Sequence, residues 1–172
     1  MSKKLFCLLL FYFLLSQLPA QKITSSLHQI YAAGLSGKNN ETETKQTSYG
    51  LGLINGFLTD QGFFIGIRSE LLRENSENII PVSLRFANYF SDNKVAPVLG
   101  LEGGYIFYKS NDSKDPFFGK PFYEINIGTD ILFKSNFAGS FTLGLRKIAN
   151  FSNIKHDINS LININLGLTY YL

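Results

Sequence analysis

The 172-residue chain has a single cysteine, Cys7, no tryptophan and no marked excess of charge of either sign. One thiol makes no disulfide, and Cys7 sits inside an apolar run rather than at its end, so a lipoprotein cleavage site is not expected. Sixteen Lys+Arg stand against 13 Asp+Glu. Two of the basic residues, Lys3 and Lys4, lie at the extreme N-terminus, which leaves 14 against 13 in the remainder. That balance excludes the basic footprint of a nucleic-acid-binding domain. No stretch reaches 18 consecutive apolar residues, so no helix is expected to span a membrane.

The sequence also lacks the usual signatures of catalysis and metal binding. There is no paired-carboxylate motif and no Gly-x-Ser-x-Gly element. The two histidines, His28 and His156, have no second ligand at metal spacing, apart from Asp157 beside His156. The glycines between Tyr49 and Gly56 do not form a phosphate loop. In a strand they relieve crowding and permit curvature. No catalytic, cofactor or metal residue is assigned from the sequence. Asn-x-Ser/Thr triplets at Asn40, Asn111 and Asn150 are read as coincidence in a chain rich in those residues.

What is present starts with Met1–Ala20. Two lysines, the apolar run Leu5–Leu15 and the small-residue exit Pro19-Ala20 read as a secretory signal peptide, leaving 21–172 as one domain. From there apolar residues alternate with small or polar ones in short runs separated by turn residues, the pattern of an all-β barrel or sandwich. Strands are expected at Leu27–Leu35, Thr47–Phe57, Phe63–Leu72, Ile79–Phe90, Val95–Tyr108, Phe122–Phe133, Phe137–Ile148 and Ser160–Leu172. The last is the clearest. Ile162, Ile164, Leu166, Leu168, Tyr170 and Leu172 share one face, and the stretch is long enough for a tilted strand to cross a bilayer.

Three features favour a membrane barrel. Short connections at 58–62, 91–94 and 134–136 alternate with generally longer ones at 36–46, 73–78, 109–121 and 149–159, as in barrels with short periplasmic turns and long external loops. Phe57, Phe63, Phe90, Phe133, Phe137 and Tyr170 gather beside the short turns, where an aromatic girdle is expected. Nearly all lysines after the signal segment fall in turns, loops and strand ends, whereas the polar strand faces carry glycines, hydroxyls and seven charges: Arg68, Glu70, Arg85, Glu102, Glu124, Asp130 and Arg146. A cation facing lipid at mid-depth costs about 2–4 kcal/mol, so these groups are expected to face a narrow lumen and pair there. Glu124 and Arg146, on neighbouring strands, are the expected leading pair. An eight-stranded lumen is filled by its own side chains, which argues against a diffusion pore.

The exit Pro19-Ala20-Gln21, the segments IPVSLRFANYF (Ile80–Phe90) and KVAPVLGLEGGY (Lys94–Tyr105), and the closing NINLGLTYYL (Asn163–Leu172) together resemble the small outer-membrane β-barrel proteins of the broad OmpX-like and PorT-like group. The terminal Leu172 departs from the Phe usual there. The resemblance implies an all-β, eight-stranded, antiparallel up-and-down transmembrane β-barrel in the cell outer membrane of a Gram-negative bacterium. Its implied partners are outer-membrane lipid and, through the C-terminal strand, the barrel-assembly machinery. It implies little chemistry. The expected function is non-enzymatic, with external loops used for surface interaction or envelope structure.

Two alternatives stand beside that reading. Arg146–Asn153 (RKIANFSN) is similar to the region of outer-membrane lipid A deacylases in which an Arg precedes a His-x-Ser-Asn motif. Ser152 and Asn153 match, but Asn150 occupies the histidine position, so nothing would activate Ser152. The other alternative is a soluble periplasmic lipid-binding barrel.

Overall fold

The computed structural model describes residues 23–38, 45–74, 77–91, 94–109, 117–149 and 158–172. They form eight strands: β1 (Ile23–Lys38), β2 (Lys45–Thr59), β3 (Phe63–Glu74), β4 (Glu77–Tyr89), β5 (Val95–Lys109), β6 (Phe117–Lys134), β7 (Phe137–Ala149) and β8 (Ile158–Tyr171). Each pairs antiparallel with its sequence neighbour, and β1 pairs with β8, so the sheet closes into an up-and-down barrel. The pairings stagger by about ten residues over one circuit, which tilts the strands strongly to the barrel axis. The signal segment Met1–Ala20, together with Asn40, Asn111, Asn150, Ser152, Asn153 and His156, lies outside the described residues.

All eight expected strands are present, and at the long-loop end each runs further than the hydrophobic alternation does. Hairpin pairing continues above the apolar belt, where side-chain pattern fades but backbone hydrogen bonds persist. Thus β6 begins at Phe117, opposite Lys109, and the expected loop 109–121 is cut to the residues between them. The connection expected at 73–78 shrinks further, because Glu74 pairs directly with Glu77. Pro81 has no N–H for the ladder. The β3–β4 ladder is interrupted there, in unchanged register, between Ser69–Val82 and Leu72–Ile79.

At the other end the β2–β3 turn is tight. Gly62 adopts φ +80°, and its N–H donates to the Thr59 carbonyl at 3.0 Å while its own carbonyl accepts from Tyr89 N–H at 2.8 Å. A side chain at Gly62 would also run into the Tyr89 carbonyl, so the position requires glycine. The seam between first and last strands extends to the chain end, where Ser26 and Leu172 exchange two backbone hydrogen bonds of 2.8 Å.

The outside of the barrel is apolar. Leu51, Ile67, Leu84, Leu101, Ile127, Leu143 and Leu166 all point outward and are more than two-fifths exposed, which is the inverse of a soluble barrel. Phe57, Phe90, Phe133, Phe137 and Tyr170 ring the short-turn end as expected. Phe133 also lies over the outward Gly139, filling the space that residue leaves empty. Tyr49, Tyr105 and Tyr123 form a second set toward the long loops. β1 departs from the rule that oily side chains face out. Its Leu27, Tyr31 and Leu35 point into the lumen, and its outer face carries His28, Ile30 and Ala32.

Candidate functional site: the barrel lumen

All seven charges expected to face inward do so, and each is at most 5% exposed. Strand order explains how they meet. Arg85 of β4 is paired in register with Glu102 of β5, Glu102 with Glu124 of β6, and Glu124 with Arg146 of β7. The row therefore reads cation, anion, anion, cation. Like charges directly opposite one another in a sheet are destabilising. Arg68, reaching across from β3, resolves the conflict: its Nη1 lies 2.9 Å from Glu102 Oε1 and 3.1 Å from Glu124 Oε1.

The remaining contacts complete a cluster in which three arginines match three glutamates. Arg68 also binds Glu70 through Nη2 and donates from Nε to the Tyr31 hydroxyl at 2.6 Å, which in turn donates to Glu70 at 3.0 Å. Arg85 Nη1 reaches Glu102 Oε1 at 2.8 Å. The expected Glu124–Arg146 pair is present, with Arg146 Nε donating to Glu124 Oε2 at 2.7 Å. Arg146 Nη1 stands 2.8 Å from Glu70 Oε2, a charge contact lying off the hydrogen-bonding axis.

Neutral amides fill in around the charges. Asn163 donates to both oxygens of Glu124 at 3.0 Å, Asn126 donates to Glu102 at 2.9 Å, and Arg68 Nη2 donates to Asn165 Oδ1 at 3.3 Å. Buried ions are tolerable only when paired and hydrogen-bonded in this way. Inward glycines make the room. A Cβ at Gly144 would strike the Glu124 carboxylate, and one at Gly52 would strike the Tyr31 ring.

The lumen is more apolar than its sequence faces suggested. Leu35, Leu72, Ile79, Ile106, Phe122, Ile148 and Leu161 are buried, and each lies nearer the long-loop end of its strand than the charged or amide group beside it. Seven strands thus each contribute one side chain to a layer above the charges. Phe122 joins the two levels, its ring lying 4.6 Å from the Arg146 guanidinium carbon. Below the charges stand Leu27, Phe64 and Val98, then a hydroxyl group of contacts. Ser140 and Thr169 are 2.5 Å apart, and Tyr171 donates to Asp130 at 2.5 Å. The short-turn mouth opens on a basin of about 780 Å³ lined by residues including Asp60, Tyr89, Phe90 and Tyr171.

Other sequence features fall outside this arrangement. His28 faces outward near the short-turn girdle, with Nδ1 2.9 Å from Asn55 Oδ1 and Nε2 3.3 Å from Ser26 Oγ. No group of metal-ligating side chains occurs among the described residues. The hub role of Arg68 was not visible in the sequence, because all its partners but Glu70 lie on strands two and three positions away and are brought within reach only by closure.

No family model matches the sequence, and no curated protein does. Solved structures do match in fold. Neisserial surface protein A superposes with a TM-score of 0.70 at 10% identity, over 84% of this chain and 96% of that one. The N-terminal β-barrel domain of Pseudomonas aeruginosa OprF gives 0.57 at 12% identity, over 87% and 100%. Ail, the attachment invasion locus protein of Yersinia pestis, gives 0.57 at 14% identity, over 88% and 100%. The fold is that of the small eight-stranded outer-membrane barrels.

Proposed function

We propose that this small outer-membrane barrel is a non-enzymatic surface protein. In this reading the lumen is a structural core, and the connections at the long-loop end meet the surroundings. The observation that carries the proposal is the double closure of the lumen. An apolar layer lies over a charge cluster whose members are almost without solvent exposure, which leaves no aqueous path for a solute. The short turns then face the periplasm and the longer connections face outward, with outer-membrane lipid around the apolar belt. The C-terminal strand, with its alternating face and seam position, is the element offered to the barrel-assembly machinery.

The deacylase alternative is disfavoured by the position of Arg146. That residue is 0% exposed and bound to Glu70 and Glu124, so it is withdrawn from any lipid substrate. The soluble alternative is disfavoured by the apolar exterior.

Two measurements test the proposal. In planar bilayers the purified barrel is expected to give no stepwise conductance, and regular steps would overturn the closed lumen. Deletion of the gene is expected to leave the acyl pattern of lipid A unchanged, and a shifted pattern would reinstate the enzyme.

A further inference from the structure

The three lumen glutamates each have an arginine partner, and the three arginines are all engaged with them. Asp130 is the carboxylate left over. It is 3% exposed, and among the described residues no cation lies within ion-pair distance of it. Its partners are neutral hydroxyls: Tyr171 at 2.5 Å, with Ser140 and Thr169 alongside. Arg85 is the cation whose charge reaches it, but from the layer above, where that side chain is committed to Glu102.

Asp130 lies directly behind the wall of the short-turn basin, because the Tyr171 that caps it is also one of the basin's lining residues. Among the described residues that line the basin none is Lys, Arg or His, whereas Asp60 stands at its edge. Lys94 and Lys134 belong to the same end of the barrel, but they are exposed and do not line the cavity. Leu58, Leu132, Tyr89 and Phe90 supply apolar and aromatic wall. An alkylammonium ion has the matching chemistry: a methylene stem for those walls, and a charge for a carboxylate or an aromatic face.

We propose that the short-turn basin is a binding site for a small organic cation of the alkylammonium class. Asp130 is its buried counter-charge, Asp60 attracts it at the mouth, and the Tyr171 hydroxyl swings aside to admit it. The proposal concerns a second site, separate from the long-loop end on which the proposed function rests, and either can fail without the other.

The test uses the protein folded in detergent micelles, with cadaverine as probe and its neutral diol analogue as control, read by amide chemical shifts. Cadaverine is expected to give saturable shifts at Thr59–Gly62, Asn136 and Tyr171, and the diol none. Asp130→Asn is expected to weaken binding by at least about tenfold, and Asp60→Asn by about two- to threefold, since an exposed charge contributes less. Tyr171→Phe removes the competing hydroxyl and is expected to tighten binding. Heat-modifiable migration on unboiled gels checks that each variant is folded. If Asp130→Asn fails to fold, the Tyr171→Phe result decides. Equal shifts from amine and diol, unaltered affinity in folded Asp130→Asn, looser binding in Tyr171→Phe, or no saturable shift at all would each overturn the site.

Discussion

The two halves of the lumen solve the same problem differently. Toward the long loops, seven apolar side chains pack over a charge cluster in which every anion has a cation. Toward the short turns, the space is held by a few large side chains such as Phe64, by hydroxyls and by one carboxylate without an ion partner among the described residues, and it ends in an open basin. The first half is closed by matched charge and packing. The second is closed by hydrogen bonds from hydroxyls, one of them to a carboxylate. The difference teaches that sealing is concentrated in one half, and that the other has latitude to open to a ligand.

Substitutions can break that contrast. The largest effect is expected for Arg68→Met, which strands Glu102 and Glu124 side by side and removes a partner of Glu70. Losing one member of a buried ion network costs about 3–5 kcal/mol, to be read as a lowered urea midpoint for the barrel folded in lipid vesicles. Leu166→Arg, on the outer face between the girdles, is expected to cost about 2–4 kcal/mol in the same assay. It would show that the belt is lipid-facing, since a water-facing site would absorb the change. Ser140→Ala, in the short-turn half, removes a hydroxyl that contacts Thr169 and lies beside Asp130, and is expected to cost about 1–2 kcal/mol. Should Ser140→Ala prove as damaging as Arg68→Met, the two halves would not differ as described.

Much of this fold was legible because a strand has a period of two and a barrel sorts its two faces between lipid and lumen. Ile162 through Leu172 showed this directly, and the inward direction of Arg85, Glu102 and Glu124 followed from their neighbours. Glu124–Arg146 could be named because the pairing joins consecutive strands. Three things were not legible. The faces of β1 are ambiguous because Leu27 and Leu35 are core residues, and core and lipid select the same side chains. The apolar layer was missed for the same reason: Leu72, Ile79 and Ile148 end their runs without breaking the alternation. The contacts of Arg68 depend on the curvature and stagger of the closed sheet, which no linear pattern records.

Closure at the Ser26–Leu172 seam has a consequence for how the protein is made. The amides of Asn163 and Asn165 on β8 and the phenol of Tyr31 on β1 complete the coordination of Glu124, Arg68 and Glu70. A half-zipped intermediate would therefore keep the ion pairs of β3–β7 but leave Arg68, Glu70 and Glu124 short of these neutral partners. Zippering of the seam and completion of the buried hydrogen bonding become one event.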